Sequence, residues 1–233
     1  MPLRQAKLTD KQNFTHDVTE LTFETADQLT FESGQFVTFK VTDKMPPCFR
    51  AYSISSCPKA ENNRFSTCIK VVPEGRGSNW LNNLNIDDTV EFMGPNGKFL
   101  FKNNGKNSVF VATGTGITPF KSMIETELLK GNKNKLQLLF GVRYVKDIFY
   151  EEFFKDLAAK YPNFTYEFTV SRPENDEWHG STGRVSNILE TMPLELANTE
   201  VYICGLKEMI NDVTEILKTR GMPPDSINSE KYD

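Results

Sequence analysis

Short segments with alternating apolar and polar residues occupy the first hundred residues and predict a β-rich region. A period of two places one face of each strand on a core. Five segments follow this pattern: Val18–Phe23, Phe36–Val41, Arg50–Ser55, Thr67–Val72 and Thr89–Phe92. Turn-forming SG, PP, EGRG and PNG stretches separate them, and one short helix is predicted around Asn79–Asn83. The pattern predicts a small antiparallel barrel or sandwich.

After about residue 105, continuous apolar runs alternate with segments of helical periodicity. The predicted strands are Ser108–Ala112, Leu136–Phe140, Thr165–Val170 and Val201–Cys204. The predicted helices are Thr118–Lys130, Asp147–Tyr161, Val185–Met192 and Lys207–Arg220, and Gly221 ends the last of them. Strands that alternate with helices are typical of a parallel sheet. The polar segment KNNGKN at 102–107 marks the boundary between the two patterns.

Charge and cysteine content narrow the possible classes of protein. The net charge of −4 provides no basic field, so we expect neither nucleic acid nor a membrane surface as partner. Cys48, Cys57, Cys68 and Cys204 form no C-x-x-C pair, and with two histidines in the chain we expect no metal site. The N-terminus has no apolar core typical of a secretory signal, and the longest apolar runs are about five residues. We therefore expect a reduced, cytoplasmic protein.

The strand segment RAYSIS at 50–55 combines side chains that are unusual together. Alternation places Arg50, Tyr52 and Ile54 on one face of the strand and Ala51, Ser53 and Ser55 on the other. A guanidinium binds phosphate through charge-assisted hydrogen bonds, and an aromatic face stacks on a planar ring. An edge strand with a surface arginine and a core tyrosine accounts for the same residues.

A glycine-rich turn, VFVATGTGITPF at 109–120, connects a buried strand to a helix. Gly114 and Gly116 allow close approach of the backbone, Thr118 is a candidate N-cap, and Pro119 suits the first helical turn. The N–H groups and dipole of such a helix attract an anion. The motif is G-x-G-x-x-P and not the dinucleotide fingerprint G-x-G-x-x-G. Phosphate binding and an ordinary strand–helix connection therefore both remain open.

Six motifs occur in a characteristic order: R-x-Y-S, G-R-G-S, G-T-G-I-T-P, V-S-R, C-G and a terminal E-x-Y. In this order the chain resembles the ferredoxin–NADP reductase superfamily of flavoproteins over nearly its whole length. The resemblance implies two domains. Residues 1–103 would form an FAD-binding, antiparallel six-stranded Greek-key β-barrel. Residues 104–233 would form an NAD(P)-binding α/β domain with a parallel five-stranded sheet flanked by helices.

The resemblance also implies which residues hold the flavin, and it favours FAD over FMN. Arg50 would pair with the flavin phosphate, Tyr52 would pack on the isoalloxazine, and Ser53 would lie near flavin N5. The remaining flavin-binding residues would be Ala51, Cys68, Ile69, Lys70, Gly75, Arg76, Gly77 and Ser78. Of these, the G-R-G-S segment would hold the pyrophosphate at the start of a short helix.

The pyridine dinucleotide would lie on the second domain. Its phosphates would contact the loop formed by Thr113, Gly114, Thr115, Gly116, Thr118 and Pro119. The other residues predicted to bind it are Arg143, Ser171, Arg172, Arg184, Cys204 and Gly205. No Asp or Glu stands in the V-S-R turn, and a 2′-phosphate needs positive charge, so we expect NADP(H) over NAD(H).

Four residues are predicted to shape the reaction site: Ser53, Cys204, Glu230 and Tyr232. In the superfamily the cysteine lies beside the nicotinamide and the terminal aromatic covers the flavin. This chain departs from the pattern because Leu206 follows C-G where many members have proline, and because Asp233 follows the tyrosine.

The implied reaction moves hydride between NADPH and bound FAD and then single electrons to a carrier such as ferredoxin or flavodoxin. We expect a monomer. Lys98, Lys102 and Lys106 form one candidate basic face for an acidic carrier, and Lys40, Lys44 and Arg50 form another. Two alternatives remain open: an NAD(P)H:flavin or small-molecule reductase that uses flavin as a substrate, and a flavin-bearing electron-transfer subunit of a larger complex.

Overall fold

The structure, a computed structural model, describes residues 2–58, 63–174 and 178–232 and divides into two units. The first unit runs to Phe101 and also includes Thr118–Thr126. The second comprises Lys102–Ile117 and the residues from Glu127 onward. No helix in these described ranges is long and apolar enough to cross a membrane.

An antiparallel six-stranded sheet forms the first unit. Its strands are β1 (Arg4–Asn13), β2 (Val18–Thr25), β3 (Phe36–Val41), β4 (Cys48–Ser53), β5 (Arg64–Lys70) and β6 (Thr89–Asn96). The spatial order is β4-β3-β6-β1-β2-β5, which confirms the predicted barrel. A bridge between Ile54 and Thr67 joins the two outermost strands and closes the sheet. Helix α1 (Arg76–Asn82) connects β5 to β6.

Large aromatic side chains fill the barrel. The rings of Phe65 and Phe92 have centroids 5.2 Å apart, and those of Phe23 and Phe65 are 5.5 Å apart. Phe39 is fully buried beside them. Phe23, Phe39 and Phe92 lie in segments that alternation predicts, whereas Phe65 lies two residues before the predicted segment Thr67–Val72 and belongs to β5.

Strand β1 is not among the segments that alternation predicts. Its sequence RQAKLTDKQN carries apolar side chains only at Ala6 and Leu8, and both are buried. The strand nevertheless lies inside the sheet, paired with β2 on one side and β6 on the other. Backbone pairing with two neighbours therefore determines it, and its own apolar pattern is too sparse to reveal it.

A parallel sheet forms the second unit. Its strands are β7 (Asn107–Thr113), β8 (Leu136–Val142), β9 (Phe164–Val170), β10 (Ser181–Thr182), β11 (Thr199–Leu206) and β12 (Ile227–Tyr232). The order is β10-β9-β8-β7-β11-β12, and every pair is parallel. The prediction of five parallel strands is wrong, because six are described. β10 has two residues, and β12 reads INSEKY, so neither carries the apolar run by which buried strands are recognised.

The helices agree with their predicted positions to within a few residues, with one exception. They are α2 (Thr118–Leu129), α3 (Glu151–Lys160), α4 (Val185–Thr191) and α5 (Lys207–Thr219). Asp147 is not the first residue of α3. It ends a 3-10 turn in which its carboxylate accepts a hydrogen bond from the Tyr144 backbone N–H at 3.1 Å. α3 begins four residues later.

Candidate active site

Strand β4 carries the first group of predicted site residues. Arg50 and Ala51 are exposed, whereas Tyr52 is half-buried, with its ring centroid 6.0 Å from that of Phe39. Burial raises the pKa of Tyr52 to about 12, against a smaller opposing effect of Arg50. The phenol therefore keeps its proton at neutral pH, and the strand presents a cation beside a neutral aromatic ring.

Gly77, near the start of α1, lies directly against these two side chains. A Cβ at this position would be 2.6 Å from Cγ of Arg50 and 3.0 Å from the hydroxyl of Tyr52. Those distances are shorter than ordinary packing permits, so a larger residue would displace one or both side chains. The first turn of α1 can approach Arg50 and Tyr52 because residue 77 has no side chain.

We expect Gly77→Ala to weaken FAD binding by about tenfold, because the new methyl group would shift Tyr52 and Arg50 from their positions. Fluorescence titration of the apoprotein with FAD measures the affinity. Gly105→Ala is the control: its φ of +77° makes alanine unfavourable by about 1–2 kcal/mol, but nothing lies within 4 Å of a Cβ at that position. Equal FAD affinities for the two variants would contradict a role for this close packing.

Ser53, Cys68 and Ile69 are buried in the barrel unit. The Ser53 carbonyl accepts a hydrogen bond from the Thr67 hydroxyl at 2.9 Å, which ties β4 to β5. Lys70 is exposed, and its amine lies 3.0 Å from the Asp17 carboxylate. The predicted location of these residues beside the flavin stays a prediction.

Arg76 is engaged with the segment that precedes β4. Its Nε donates to the Asp43 carboxylate at 2.7 Å, and its terminal nitrogens donate to the carbonyls of Pro46, at 2.9 Å, and Lys44. The guanidinium predicted to hold pyrophosphate thus stabilises a loop here. Sequence reasoning missed Asp43, which lies 33 residues away and has no local pattern linking it to Arg76.

Ser78 and Gly75 form the turn that leads into α1. The Ser78 hydroxyl donates to the Gly75 carbonyl at 3.2 Å and accepts from the Val72 backbone N–H at 3.3 Å. Asn79 also donates to the Gly75 carbonyl, at 2.8 Å. The side chains of this motif therefore shape the turn, which leaves the phosphate-binding role predicted for the segment to its backbone N–H groups.

The glycine loop of the second unit passes from β7 into a 3-10 turn at Gly114–Ile117 and directly into α2. Thr118 is therefore the first residue of the helix and not its N-cap, and both Thr118 and Pro119 are buried. Gly114 has a φ of +54°, and no atom lies within 4 Å of a Cβ built there. The loop thus has open space over Gly114, as a ligand-binding turn requires.

Gly116 and Gly205 pack the loop against the end of β11. A Cβ on Gly116 would overlap the Cys204 carbonyl oxygen and lie 2.6 Å from its carbon. A Cβ on Gly205 would overlap the Thr113 hydroxyl oxygen and lie 3.1 Å from the Thr113 carbonyl oxygen. Two backbone segments thus meet at van der Waals distance, which explains why both motifs have glycine at these positions.

Cys204, Glu230 and Tyr232 are brought together by β11 and β12. Cys204 pairs in register with Glu230, and Leu206 pairs with Tyr232. Burial raises the pKa of the Cys204 thiol, and the nearby Glu230 carboxylate raises it further, against an opposing hydrogen bond with Tyr232. The thiol therefore stays neutral and is not a thiolate nucleophile. Asp233, which follows the tyrosine, lies outside the described residues.

Two polar atoms in this region are buried without a hydrogen-bond partner among the described residues: the Thr113 hydroxyl oxygen and Oε2 of Glu230. Burial raises the pKa of Glu230 to about 7. Buried polar atoms are normally paired, so unpaired ones point to a missing ligand or to water. A carboxyl with a pKa near neutrality can donate or accept a hydrogen bond toward such a ligand.

Arg143 and Arg172 follow the carboxyl ends of β8 and β9. Both side chains are exposed, and the Arg172 backbone N–H donates to the Arg143 carbonyl at 2.8 Å. The Ser171 hydroxyl donates to the Val142 carbonyl at 3.3 Å and so belongs to the same turn. Arg184 differs, because its guanidinium lies 3.5 Å from the Asp212 carboxylate. The sequence did not reveal Asp212 as its partner.

Comparisons with known proteins identify a cofactor-binding domain in each part of the chain. A family model described as an oxidoreductase FAD-binding domain matches residues 5–101, and one described as an oxidoreductase NAD-binding domain matches residues 110–215. Ferredoxin--NADP reductase B of Sorangium cellulosum is 35% identical over 98% of this chain and 97% of that protein. The chain belongs to the ferredoxin–NADP reductase superfamily. This member of the superfamily is an NAD(P)H-dependent flavin oxidoreductase whose cofactors are FAD and a pyridine dinucleotide.

Two further proteins match this reductase over nearly its whole length. The toluate 1,2-dioxygenase electron transfer component of Pseudomonas putida is 29% identical over 98% of this chain and 67% of that protein. A ferredoxin NADP+ reductase from Neisseria gonorrhoeae with bound FAD and NADP superposes with a TM-score of 0.86. At 21% identity, over 99% of each chain, that likeness shows the fold alone.

The residues present fit both cofactors. On the barrel, an exposed guanidinium, a neutral aromatic ring and a helix start kept close by Gly77 suit the phosphate and ring of FAD. On the parallel sheet, the space over Gly114 and the unpaired buried oxygens of Thr113 and Glu230 suit a polar dinucleotide. Each set lies within one unit, and the assignment of its residues to the cofactor stays a prediction.

Proposed function

We propose that this reductase uses NADPH in preference to NADH and delivers single electrons to a small iron–sulfur carrier of the ferredoxin type. The choice of a ferredoxin as electron acceptor rests on the similarity to ferredoxin--NADP reductase B, which extends over 98% of this chain. Ferredoxin reductase relatives indicate an electron-transfer protein as the partner. Monomeric state and cytoplasmic location stay predictions from the sequence.

The preference for NADPH is supported by Arg143 and Arg172. Neither guanidinium has an ion-pair partner among the residues that the structure describes, and the two turns are hydrogen-bonded to each other. Two exposed cations at adjacent strand ends suit a 2′-phosphate, whereas an unphosphorylated ribose is usually met by a carboxylate. Arg184 contributes less in this proposal, because Asp212 already neutralises it.

The side chains at the ends of β11 and β12 would position the nicotinamide. Glu230 holds or releases a proton near neutral pH and can hydrogen-bond a polar substituent, and the neutral Cys204 thiol supplies a small, apolar contact. Bound FAD supplies the conversion of a two-electron donor into single-electron steps. The chain itself therefore contributes binding, orientation and exclusion of water.

The carrier would dock on a smaller basic surface than the sequence indicates. Lys102 and Lys106 lie 3.3 Å and 3.4 Å from the carboxylate of Glu200, which offsets one of their two positive charges, and Lys40 lies 2.6 Å from Glu91. Lys44, in the connection between β3 and β4, is exposed, and so are Arg50 and Lys98. We propose this part of the β3–β4 connection as the contact for an acidic carrier.

The visible spectrum of the purified protein, its anaerobic titration with each nucleotide and its reduction of ferredoxin test the proposal. The expected result is a yellow protein whose flavin bands are bleached faster by NADPH than by NADH in anaerobic titration, and which then reduces an added two-iron ferredoxin. A colourless protein that reduces added flavin would identify the alternative reductase that uses flavin as a substrate. A yellow protein that is bleached by NADPH but passes no electrons to ferredoxin would overturn the choice of acceptor.

We expect Arg172→Ala to lower kcat/KM for NADPH by about 10–100-fold, because charged hydrogen bonds of this kind contribute about 1.5–3 kcal/mol. The value for NADH should change by less than about twofold. Arg184→Ala should have a smaller effect on NADPH, because Asp212 shares its charge. Steady-state kinetics with both nucleotides provide the measurement, and equal losses with NADPH and NADH would remove the case for phosphate recognition.

A further inference from the structure

Strand β12 carries Glu230 but has little in its own sequence to determine its register. It reads INSEKY, and all of its residues are half-buried or exposed. It lies at the edge of the sheet and, among the described strands, pairs only with β11. Register is strongly specified where one face of a strand is apolar and buried, and weakly specified in polar strands. Only Ile227, at its start, packs against the apolar core of this unit. A polar contact would add to that packing in holding Glu230 opposite Cys204.

A buried carboxylate next to this strand provides such a contact. Glu200, near the start of β11, is 3% exposed. Its Oε2 accepts a hydrogen bond from the Asn228 side-chain amide at 3.0 Å, and its Oε1 accepts one from Asn104 at the same distance. The Asn228 amide also donates to the Val201 carbonyl at 3.2 Å. One amide thus contacts both the side chain and the backbone at the start of β11.

Glu200 is itself held from the opposite side. The amines of Lys102 and Lys106 lie 3.3 Å and 3.4 Å from its oxygens. Lys102 also donates to the Asp225 carbonyl at 2.6 Å, and its backbone N–H donates to the Tyr202 hydroxyl at 2.9 Å. Burial opposes ionisation of Glu200, but hydrogen bonds from Asn228, Asn104 and Lys102 outweigh it and lower its pKa. The carboxylate is therefore a fixed, charged acceptor.

Asn228 is well placed to transmit this fixed position to the reaction site. It pairs with Tyr202, and two residues later Glu230 pairs with Cys204. A slip of one residue would turn the Glu230 side chain to the other face of the sheet, and a slip of two would move it about 7 Å along the strand. Either slip would break the contact between Asn228 and Glu200.

We propose that Asn228, anchored on Glu200, is a positioning residue that sets the register of β12 and thereby holds Glu230 opposite Cys204. The effect of this register on the reaction with NADPH rests on the proposed function. The claim that Asn228 sets the register of β12 does not. Asn228 touches neither cofactor in this proposal and acts only through β12, in which it is the second residue.

The chain offers a matched pair of variants for the test. Asn228→Ala and Asn104→Ala each remove an amide that donates to Glu200 at 3.0 Å, but only Asn228 lies on β12. We expect similar decreases in melting temperature for both. Only Asn228→Ala should raise amide hydrogen exchange across Ile227–Tyr232, by at least about tenfold, in the apoprotein without nucleotide.

The FAD-loaded proteins give the second measurement. We expect Asn228→Ala to lower kcat with NADPH at least about fivefold with KM within about twofold, while Asn104→Ala leaves both within about twofold. Equal exchange in β12 for the two variants, or equal changes in kcat, would overturn the proposal in favour of simple stabilisation. Because exchange is measured without nucleotide, a failure of the proposed NADPH chemistry would leave this test of register intact.

Discussion

Gly116→Ala should lower the free energy of unfolding by about 2–4 kcal/mol and abolish reduction of the flavin by NADPH. The added methyl group would overlap the Cys204 carbonyl oxygen and lie 2.8 Å from the Gly205 Cα, and all of these neighbours are backbone atoms. Backbone in the middle of a parallel sheet cannot move aside as the end of a flexible side chain can. The glycine loop and the end of β11 would therefore separate, and both carry residues predicted to bind the nucleotide.

Gly114→Ala is the matched control two residues earlier in the same loop. No atom lies within 4 Å of a Cβ at Gly114, so the change creates no clash. Its φ of +54° makes alanine unfavourable there by only about 1–2 kcal/mol. Urea unfolding of the apoproteins compares the two variants. If both unfold at the same urea concentration, the close packing of Gly116 on Cys204 does not determine stability.

Glu230→Gln should stabilise the protein at pH 8 and at the same time slow its reaction with NADPH. Burial raises the pKa of Glu230 from 4.5 to about 7, so between these pH values the folded state binds more protons than the unfolded state. The free energy of unfolding of the wild type therefore falls as pH rises through this window. Glutamine does not ionise, and we expect a gain of about 2 kcal/mol at pH 8, less than the full shift implies because the carboxyl is partly exposed.

Urea unfolding at pH 4 and pH 8 measures this effect. At pH 4 the wild-type carboxyl is protonated in the folded state and mostly protonated in the unfolded state, so the two proteins should have nearly equal stability. Glu190→Gln, on the exposed face of α4, should follow the wild type at both pH values. In stopped-flow reduction by NADPH, the glutamine variant should lose any change of rate centred near pH 7. A variant no more stable than the wild type at pH 8 would contradict the raised pKa.

Gly116 and Glu230 both lie in short motifs that the sequence alone identifies. The strand β7, the glycine loop and helix α2 follow one another along the chain, and each is identified by its own apolar run, glycines or proline. The RAYS segment likewise lies on β4 as its alternation indicates. Local patterns succeed here because backbone conformation at these positions depends mainly on the residues themselves.

Other features depend on residues far apart in the chain. β1 is a strand because β2 and β6 flank it, and β12 is a strand because β11 offers a free edge. Arg76 pairs with Asp43, and Lys102 and Lys106 both contact Glu200, so three cations predicted to face ligands or partners also form ion pairs within the fold. No local pattern identifies such pairs, since they form only when the sheets are assembled.

The sequence by itself determined the order of the family motifs, the antiparallel barrel, the alternating α/β region and the residue types needed for a flavin and a dinucleotide. Only the tertiary structure decided that Cys204, Glu230 and Tyr232 meet across β11 and β12, and that an oxygen of Glu230 is buried unpaired. The physical reason is that charge state and hydrogen bonding depend on burial and on distant partners. Burial and distant contacts are properties of the assembled sheet and not of any segment alone.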